Sequence, residues 1–150
     1  MKERIEECLK VLTGKRISDI GSAGDIVWIS FGELRKVRTI RGGEKTVGEY
    51  CMNIQCNLNI TQNDHVLLCN EIESYMRDWN SFKYEERIIG KVVEAVVADD
   101  SGRVVIAMNE GMQIELSPDL FSATEEELWR FFIPGDIDSH FVVTYAGIEE

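Results

Sequence analysis

Residues 25–31 read DIVWISF, and their pattern indicates the fold class. It combines the alternation of a strand with a nearly continuous apolar run, which is typical of a well-covered central strand. Gly102 followed by residues 104–107, VVIA, gives a similar pattern in the second half. Residues 41–44 (RGGE) and 99–102 (DDSG) carry glycine and short polar residues of the kind that hairpin turns require. The chain is therefore predicted to form antiparallel β-meanders.

Further matches predict two diverged copies of one meander, at about residues 14–69 and 90–146. The matching segments are Gly14-Lys15 with Gly90-Lys91, Met52-Asn53-Ile54 with Met112-Gln113-Ile114, Leu58-Asn59-Ile60 with Trp129-Arg130-Phe131, and His65 with His140. The alternative is that any two meanders share turn glycines and alternating valine and isoleucine. A unit of about 60 to 70 residues is marginal alone, so the copies are expected to share one core.

The N-terminal segment, residues 2–13, is predicted to be a helix. Its apolar side chains recur on one helical face at Ile5, Cys8, Leu9 and Leu12. Gly14 stands where a left-handed C-terminal cap is expected. The predicted fold class is therefore α+β and mostly antiparallel β, a single domain over residues 1–150 in which the helix packs on the two meander copies.

Charge is distributed unevenly along the 150 residues. The formal net charge is −11, and residues 76–150, with 6 basic and 16 acidic side chains, contribute −10 of it. The summed field would repel a phosphate backbone, which argues against nucleic-acid binding. The same field would steer a basic protein partner towards the second half.

The sequence also predicts a cytoplasmic protein that does not interact with membranes. The charged N-terminus lacks the apolar centre of a signal peptide, and no run approaches the roughly 20 apolar residues of a spanning helix. Four cysteines in such a chain are expected to be free thiols in a reducing compartment, and these are Cys8, Cys51, Cys56 and Cys69.

Catalytic and metal-binding motifs are not found in the sequence. It contains no phosphate-binding loop, no G-x-S-x-G elbow and no H-E-x-x-H. Cys51 and Cys56 would lie on opposite faces of a strand, and His65 and Cys69 would be roughly 13 Å apart on one strand. We therefore expect no catalytic residue, no metal and no cofactor, and the sequence favours a non-enzymatic protein without deciding the question.

The two copies differ most in two insertions, where scaffolds commonly carry specificity. Residues 33–47 form a basic insertion and residues 117–127 an acidic one. The candidate partner-binding residues are Arg35, Lys36, Arg38 and Arg41 in the first, Asp119, Glu125, Glu126 and Glu127 in the second, and Trp129 and Arg130 just after it. The alternative is structural: a basic hairpin protects a strand edge, acidic residues form a solvated face, and Trp129 points inward.

The two histidines give a second candidate site. If the copies pack about a pseudo-twofold axis, His65 and His140 would meet in a cleft between them, where proton transfer or pH sensing is conceivable. The structural alternative is that each histidine opens a strand and binds a neighbouring loop.

Residues 25–32 (DIVWISFG) and 48–56 (GEYCMNIQC) resemble a group of small uncharacterised bacterial proteins. Members of that group carry D-[MI]-x-W-x-x-F-G and then G-E-Y-x-L-H-V-Q-C-P-W-R-I. The chain departs from this pattern at Asn53, where the group has histidine, and at 57–60. Residues 127–132 (ELWRFF) and 140–143 (HFVV) are similar to strands of immunity-like proteins from bacterial toxin systems.

Two functional hypotheses follow from the sequence. The first is a non-catalytic protein-interaction module, immunity-like, whose acidic half covers a basic partner. The second is a small-molecule binder or enzyme with a cleft between the two repeats. The oligomeric state and the role of residues 70–87 stay open.

Overall fold

The computed structural model describes residues 1–23, 26–69, 85–118 and 127–149 of the 150-residue chain. Most of the 70–87 connector and most of the acidic insertion therefore lie outside the described residues. Within the described ranges the helices are α1 (Lys2–Leu9) and α2 (Glu85–Ile88). The strands are β1 (Ile17–Ala23), β2 (Ile26–Phe31), β3 (Arg35–Arg38), β4 (Glu44–Val47), β5 (Tyr50–Ile54), β6 (Asn57–Gln62), β7 (His65–Cys69), β8 (Val93–Ala98), β9 (Val104–Met108), β10 (Met112–Ser117), β11 (Glu127–Phe132), β12 (Phe141–Thr144) and β13 (Gly147–Glu149).

The strands form two large antiparallel sheets and one separate hairpin. The first sheet has the order β1-β2-β5-β11-β12-β13 and the second has the order β7-β6-β10-β9-β8. Strands β3 and β4 pair only with each other. The chain crosses to the second sheet after β5 and returns to the first after β10, so both sheets contain strands from both halves. The predicted mostly antiparallel β fold with an N-terminal helix is confirmed.

The two halves share one strand connectivity. Strands β1, β2 and β5 occupy the same places in the first sheet as β8, β9 and β10 in the second, and β6-β7 and β11-β12 each cross to the other sheet. Backbone bonds at the start of the two sheets are reciprocal: the Gly14 amide donates to the Val93 carbonyl and the Gly90 amide to the Ile17 carbonyl, each at 2.8 Å. Duplication of the sequence itself stays a prediction.

The positions of β-bulges support the same correspondence between the strands of the two sheets. A register shift falls between Ile17 and Asp19 in β1, and another between Val93 and Ala95 in β8. These are matching positions if Ile17 corresponds to Val93, as the reciprocal backbone bonds indicate. The strand register therefore lets positions in the two sheets be compared residue by residue. It matches Met52 with Ile114, two residues away from the Met112 predicted from the sequence.

Both sheets contribute to one continuous hydrophobic core. Alternation places Val27, Ile29 and Phe31 of β2 in this core, together with Ile106 and Ile114 of the second sheet. Trp129 is 0% exposed, and its indole N–H donates to the Gly102 carbonyl in the β8–β9 turn at 3.1 Å. Because a buried indole N–H needs an acceptor, this bond fixes the position of β11 against the second sheet.

Helix α1 packs on β8 through the face that its sequence predicts. Ile5 and Leu9 of the helix, and Leu12 in the 3₁₀ turn that follows, are fully buried. The Glu6 carboxylate accepts the Ala98 amide hydrogen at 2.9 Å and pairs with Lys2. Gly14 has a φ of +85°, as expected for the residue that ends the helical segment. The helix is thus an integral part of the core.

Candidate functional site

The basic insertion forms a hairpin that stands outside both main sheets. Strands β3 and β4 pair from Arg35 with Val47 to Arg38 with Glu44. Thr39 closes the loop, since its amide donates to the Gly43 carbonyl at 2.8 Å. The basic side chains of this hairpin, which are all exposed, are Arg35, Lys36, Arg38, Arg41 and Lys45. This segment, residues 33–47, is called the basic hairpin below.

Contacts at its base hold the basic hairpin against the first sheet. The Arg35 guanidinium donates to the Pro134 carbonyl in the β11–β12 connection. Val47 is buried, and the Glu49 carboxylate accepts the Glu33 amide hydrogen at 2.9 Å and pairs with the Lys15 ammonium at 3.1 Å. The Glu33 amide, and next the Lys15 ammonium, hold the pKa of Glu49 below its usual value.

The outer face of the first sheet lies beneath the basic hairpin. In the strand register Trp28 and Arg130 flank Asn53, so the three side chains form a row across β2, β5 and β11. Trp28 pairs with Gly21, and a Cβ at Gly21 would come within 2.2 Å of the indole ring. The indole therefore lies directly against the Gly21 backbone, and only glycine leaves room for it.

Arg130 organises the polar end of this face. Its Nε donates to Glu127 Oε1 at 3.0 Å, and Gln55 Nε2 donates to the same carboxylate at 3.1 Å. The hydrogen bond with Glu127 raises the pKa of Arg130. A guanidinium can only donate, so His140 Nδ1, 2.9 Å from Arg130 Nη1, accepts in this contact. The His140 ring stacks on Phe132 with centroids 4.7 Å apart.

Two neighbouring cavities separate the basic hairpin from the sheet. The outer one, the groove, has a volume of about 660 Å³ and is lined by Val37, Arg38, Thr39, Ile40, Arg41, Lys45, Phe132, Pro134 and Gly135. This set contains three cations and no carboxylate. The inner one, the cavity, has a volume of about 430 Å³ and is lined by Asp19, Trp28, Ser30, Leu34, Lys45, Thr46, Val47, Cys51, Asn53, Phe132 and Pro134. Lys45, Phe132 and Pro134 belong to both sets, so the two spaces adjoin.

The chemistry of these two spaces suits binding. Cys51 lies in the cavity, but burial raises the pKa of its thiol to about 11, so the thiol is protonated at neutral pH and is a poor nucleophile. Its hydrogen is directed at Asn53 Oδ1, 3.8 Å away. The groove adds cations and an aromatic surface. Such a set can hold an anionic and apolar ligand.

The structure brings many of the candidate residues to one region and leaves others apart. Arg35, Lys36, Arg38 and Arg41 lie on the basic hairpin, and Glu127 and Arg130 form an ion pair on the sheet face next to it. Trp129 is fully buried, which agrees with the structural alternative for that residue. Asp119, Glu125 and Glu126 lie outside the described residues.

The two histidines occupy different sheets and different register positions. His65 pairs with Gln62 at the start of β7 in the second sheet, whereas His140 precedes β12 in the first. In the matching strand pairs, Leu68 opposite Ile60 corresponds to Phe141 opposite Phe131. His140 thus matches the residue before Leu68 and not His65. Neither histidine lines the groove or the cavity.

Several residues of this region were not predicted from the sequence as site residues. Trp28 could have been found, because alternation in DIVWISF places it on the face opposite Val27 and Ile29. Phe132 and Asn53 join it only through strand pairing between distant segments, which the sequence does not display. Ile40, at the tip of the basic hairpin, is fully exposed and could have been recognised as an apolar residue within a charged turn.

No family model matches the chain, and neither a curated protein nor a solved structure matches it. Among the described residues there is no group of three side chains suited to hold a metal ion. Within the same ranges, every helix is too short or too polar to cross a membrane.

Proposed function

We propose that the protein is a non-catalytic protein-interaction module that binds an acidic surface of a partner in the groove beneath the basic hairpin. The observation that carries this proposal is the lining of the groove: three cations and an apolar floor without a carboxylate, in a chain whose formal net charge is −11. Local positive charge of this kind sets the orientation and the specificity of an encounter.

The overall negative charge does not prevent such binding. Exposed charges are screened over about 8 Å at physiological ionic strength, so a partner in the groove responds mainly to the nearest side chains. In the described part of the chain, Arg38 and Arg41 have no ion-pair partner, so their charges are available to a ligand. Binding is therefore expected to weaken as salt concentration rises.

Apolar contacts at the same place would supply affinity. Ile40 is fully exposed at the hairpin tip, and Leu34 is 52% exposed near its base. Phe132 forms part of the floor. Interfaces concentrate their energy in a few buried apolar or aromatic anchors surrounded by polar residues, and this groove offers that arrangement.

A pair of charge-reversed variants tests the proposal. Arg41→Glu lies in the groove, whereas Lys10→Glu lies in the 3₁₀ turn after α1; both side chains are exposed, and each substitution takes the net charge from −11 to −13. Tagged full-length chains are used to capture proteins from a lysate of the source organism at low and at high salt. We expect the wild type and Lys10→Glu to retain a partner that Arg41→Glu loses by about tenfold or more.

The proposal fails if Arg41→Glu captures the same partner as well as the wild type does. It also fails if the two variants lose the partner equally, because net charge and not the groove would then decide binding. A partner retained unchanged at high salt would contradict the electrostatic part.

The finer parts of the function rest on the sequence. A cytoplasmic location, a basic partner for the acidic second half and an immunity-like role are proposed on charge and resemblance. Co-expression with the product of a neighbouring toxin-like gene tests the last: survival of the cells would support it, and death despite soluble expression would reject it. In the described part of the chain, His65 and His140 belong to different sheets, and neither lines the groove or the cavity, so the proposal is built on the groove.

A further inference from the structure

We propose that the cavity is an anchor site for one large apolar side chain of the acidic segment that the groove binds. This inference rests on the proposed function and adds the partner's chemistry: a segment with an aromatic or large aliphatic residue flanked by acidic residues. The occupant is part of a protein partner, since the cavity opens beside the cation-lined groove and shares Lys45, Phe132 and Pro134 with it.

The basic hairpin creates the cavity by covering the sheet. Ser30 and Cys51 point outward from the first sheet, yet they are only 7% and 8% exposed. The base of the hairpin lines the same cavity through Leu34 and Val47, and the Gly48 backbone lies next to Ser30. A volume of about 430 Å³ lies at the small end of the range for ligand sites, roughly 300–1,000 Å³.

The cavity has an apolar body and a few directed polar groups. Trp28 provides an aromatic surface that is held in place by its contact with Gly21, and Phe132 provides a second one. Asn53 Oδ1 accepts from the Cys51 thiol, and its amide N–H groups have no acceptor among the described residues. They can bind a backbone carbonyl next to the anchor side chain.

The charges that line the groove and the cavity determine where the apolar and the acidic residues of the partner segment bind. Asp19 lines the cavity, and its carboxylate would repel an acidic side chain there. The groove instead carries Arg38, Arg41 and Lys45. An extended segment therefore fits with its apolar side chain in the cavity and its acidic side chains along the hairpin.

Three synthetic peptides test this inference against the full-length chain. They are acetyl-Asp-Asp-Phe-Asp-Asp-amide, the same peptide with alanine in place of phenylalanine, and acetyl-Asn-Asn-Phe-Asn-Asn-amide. Binding is followed by NMR through the Trp28 indole N–H and the Asn53 side-chain amide. We expect the acidic phenylalanine peptide to bind about tenfold more tightly than either of the others.

A variant that fills the cavity is compared with a matched control variant on the second sheet. Ser30→Leu places an aliphatic side chain in the cavity, and Thr61→Leu adds the same side chain on the outer side of β6 in the second sheet. In Ser30→Leu the phenylalanine peptide should bind no better than the alanine peptide, and in Thr61→Leu the preference should persist. Circular dichroism checks that both variants fold. If Ser30→Leu does not fold, the comparison of the three peptides on the wild-type chain decides the question.

The outcomes separate this inference from the proposed function. If both acidic peptides bind the wild type equally and Arg41→Glu weakens both, the groove binds acidic segments and the anchor site is rejected. If no peptide binds at 1 mM, the anchor site is also rejected, while Arg41-dependent capture of a folded partner would still support the groove. A preference for phenylalanine that Ser30→Leu leaves intact would place the anchor elsewhere and overturn the inference.

Discussion

Two connections at equivalent places in the strand order differ in length and in consequence. The β2–β5 connection of the first sheet contains the basic hairpin, whereas the β9–β10 connection of the second sheet is the short turn Asn109–Gly111. Cys51, beneath the hairpin, is 8% exposed, and Gln113, at the matching place in β10, is exposed. The same connectivity thus supports one covered face and one open face, and the covered face carries the candidate site.

The outer faces of the two sheets also differ in the chemistry of their side chains. Trp28, Asn53 and Arg130 form the central row of the first sheet. In the second sheet the corresponding row is Val105, Glu115 and Asn59. The first row combines an aromatic ring, an amide and a cation, whereas the second has a carboxylate at its centre. Specialisation therefore lies on the outer faces, while both sheets contribute apolar side chains to the shared core.

The largest expected effect tests whether the two sheets share one core. Trp129→Ala in β11 and Leu58→Ala at the matching position in β6 both empty fully buried sites. We expect losses of about 3–5 and about 2–5 kcal/mol in the free energy of unfolding, respectively. Urea unfolding followed by fluorescence and by circular dichroism should give one coincident transition in each variant. Two separated transitions would show that the sheets unfold independently.

A smaller effect is expected where the two faces differ by one contact. Gly21 pairs with Trp28 in the first sheet, and Val97 pairs with Val105 at the matching place in the second. Gly21→Val would overlap the indole and should cost about 1–3 kcal/mol, as overpacked sites do. Adding Trp28→Val reproduces the pair of the second sheet and should recover most of that loss. Thermal unfolding of the single and double variants measures the loss of stability and its recovery. An additive loss in the double variant would contradict the comparison of the two residue pairs.

The sequence predicted the elements whose cause is local. The apolar face of α1, the turn residues at 41–44 and 99–102, and the alternation of β2 all appear in the structure. The position of the basic insertion between β2 and β5 was also predicted, because its charge interrupts two apolar strands.

The parts that were missed depend on pairing between distant segments. Arg130 reaches Asn53 only because β11 returns to the first sheet, and the sequence alone gave no reason to join these strands. His65 and His140 were matched by their order along the sequence. The bulge between Ile60 and Thr61 shows how strand register can depart from that order. Burial of Trp129 was one of two predicted alternatives, and only packing against the β8–β9 turn distinguishes them.

The two connections should also respond differently to acid. Glu49 holds the base of the basic hairpin by accepting the Glu33 amide hydrogen. Because the pKa of Glu49 is lowered in the folded protein, this contact stabilises the fold at pH values above the ordinary pKa of glutamate. The stabilisation is lost as pH falls through the lower pKa of the folded state. At the second connection the Val92 amide donates to Asn109 Oδ1 at 2.9 Å, and an amide acceptor does not titrate. We expect the Glu33 amide to shift in NMR spectra as pH falls below about 4.5. It should shift more than the Val92 amide, whose acceptor does not titrate although Glu110 in the same connection pairs with Lys91.

Glu49→Gln is the control for this response. The glutamine keeps an oxygen that can accept from Glu33 and removes the titrating charge, so the acid shift of the Glu33 amide should disappear. A shift that persists in Glu49→Gln would have to arise from another carboxylate and would contradict the assignment.

The last contrast concerns chemical reactivity and is not a change in stability. Burial raises the pKa of the Cys51 thiol to about 11 and that of the Cys56 thiol to about 12. Replacing residues 33–47 by Asn-Glu-Gly, the sequence of the second connection, should expose Cys51 and leave Cys56 buried in the core. If its pKa then returns to the ordinary value near 9.0, the thiolate fraction at pH 8 rises from about 1 in 1,000 to about 1 in 10.

Iodoacetamide labelling at pH 8, read for each cysteine by peptide mass spectrometry, measures this change. We expect Cys51 to react up to about a hundredfold faster in the shortened chain, since the thiolate is the reactive species. Cys56 is 4% exposed in the core, and its slow rate in both chains verifies that the shortened chain is folded. Equal rates at Cys51 in the two chains would mean that the sheet itself, and not the basic hairpin, shields the thiol, so the contrast between a covered and an open face would have to be abandoned.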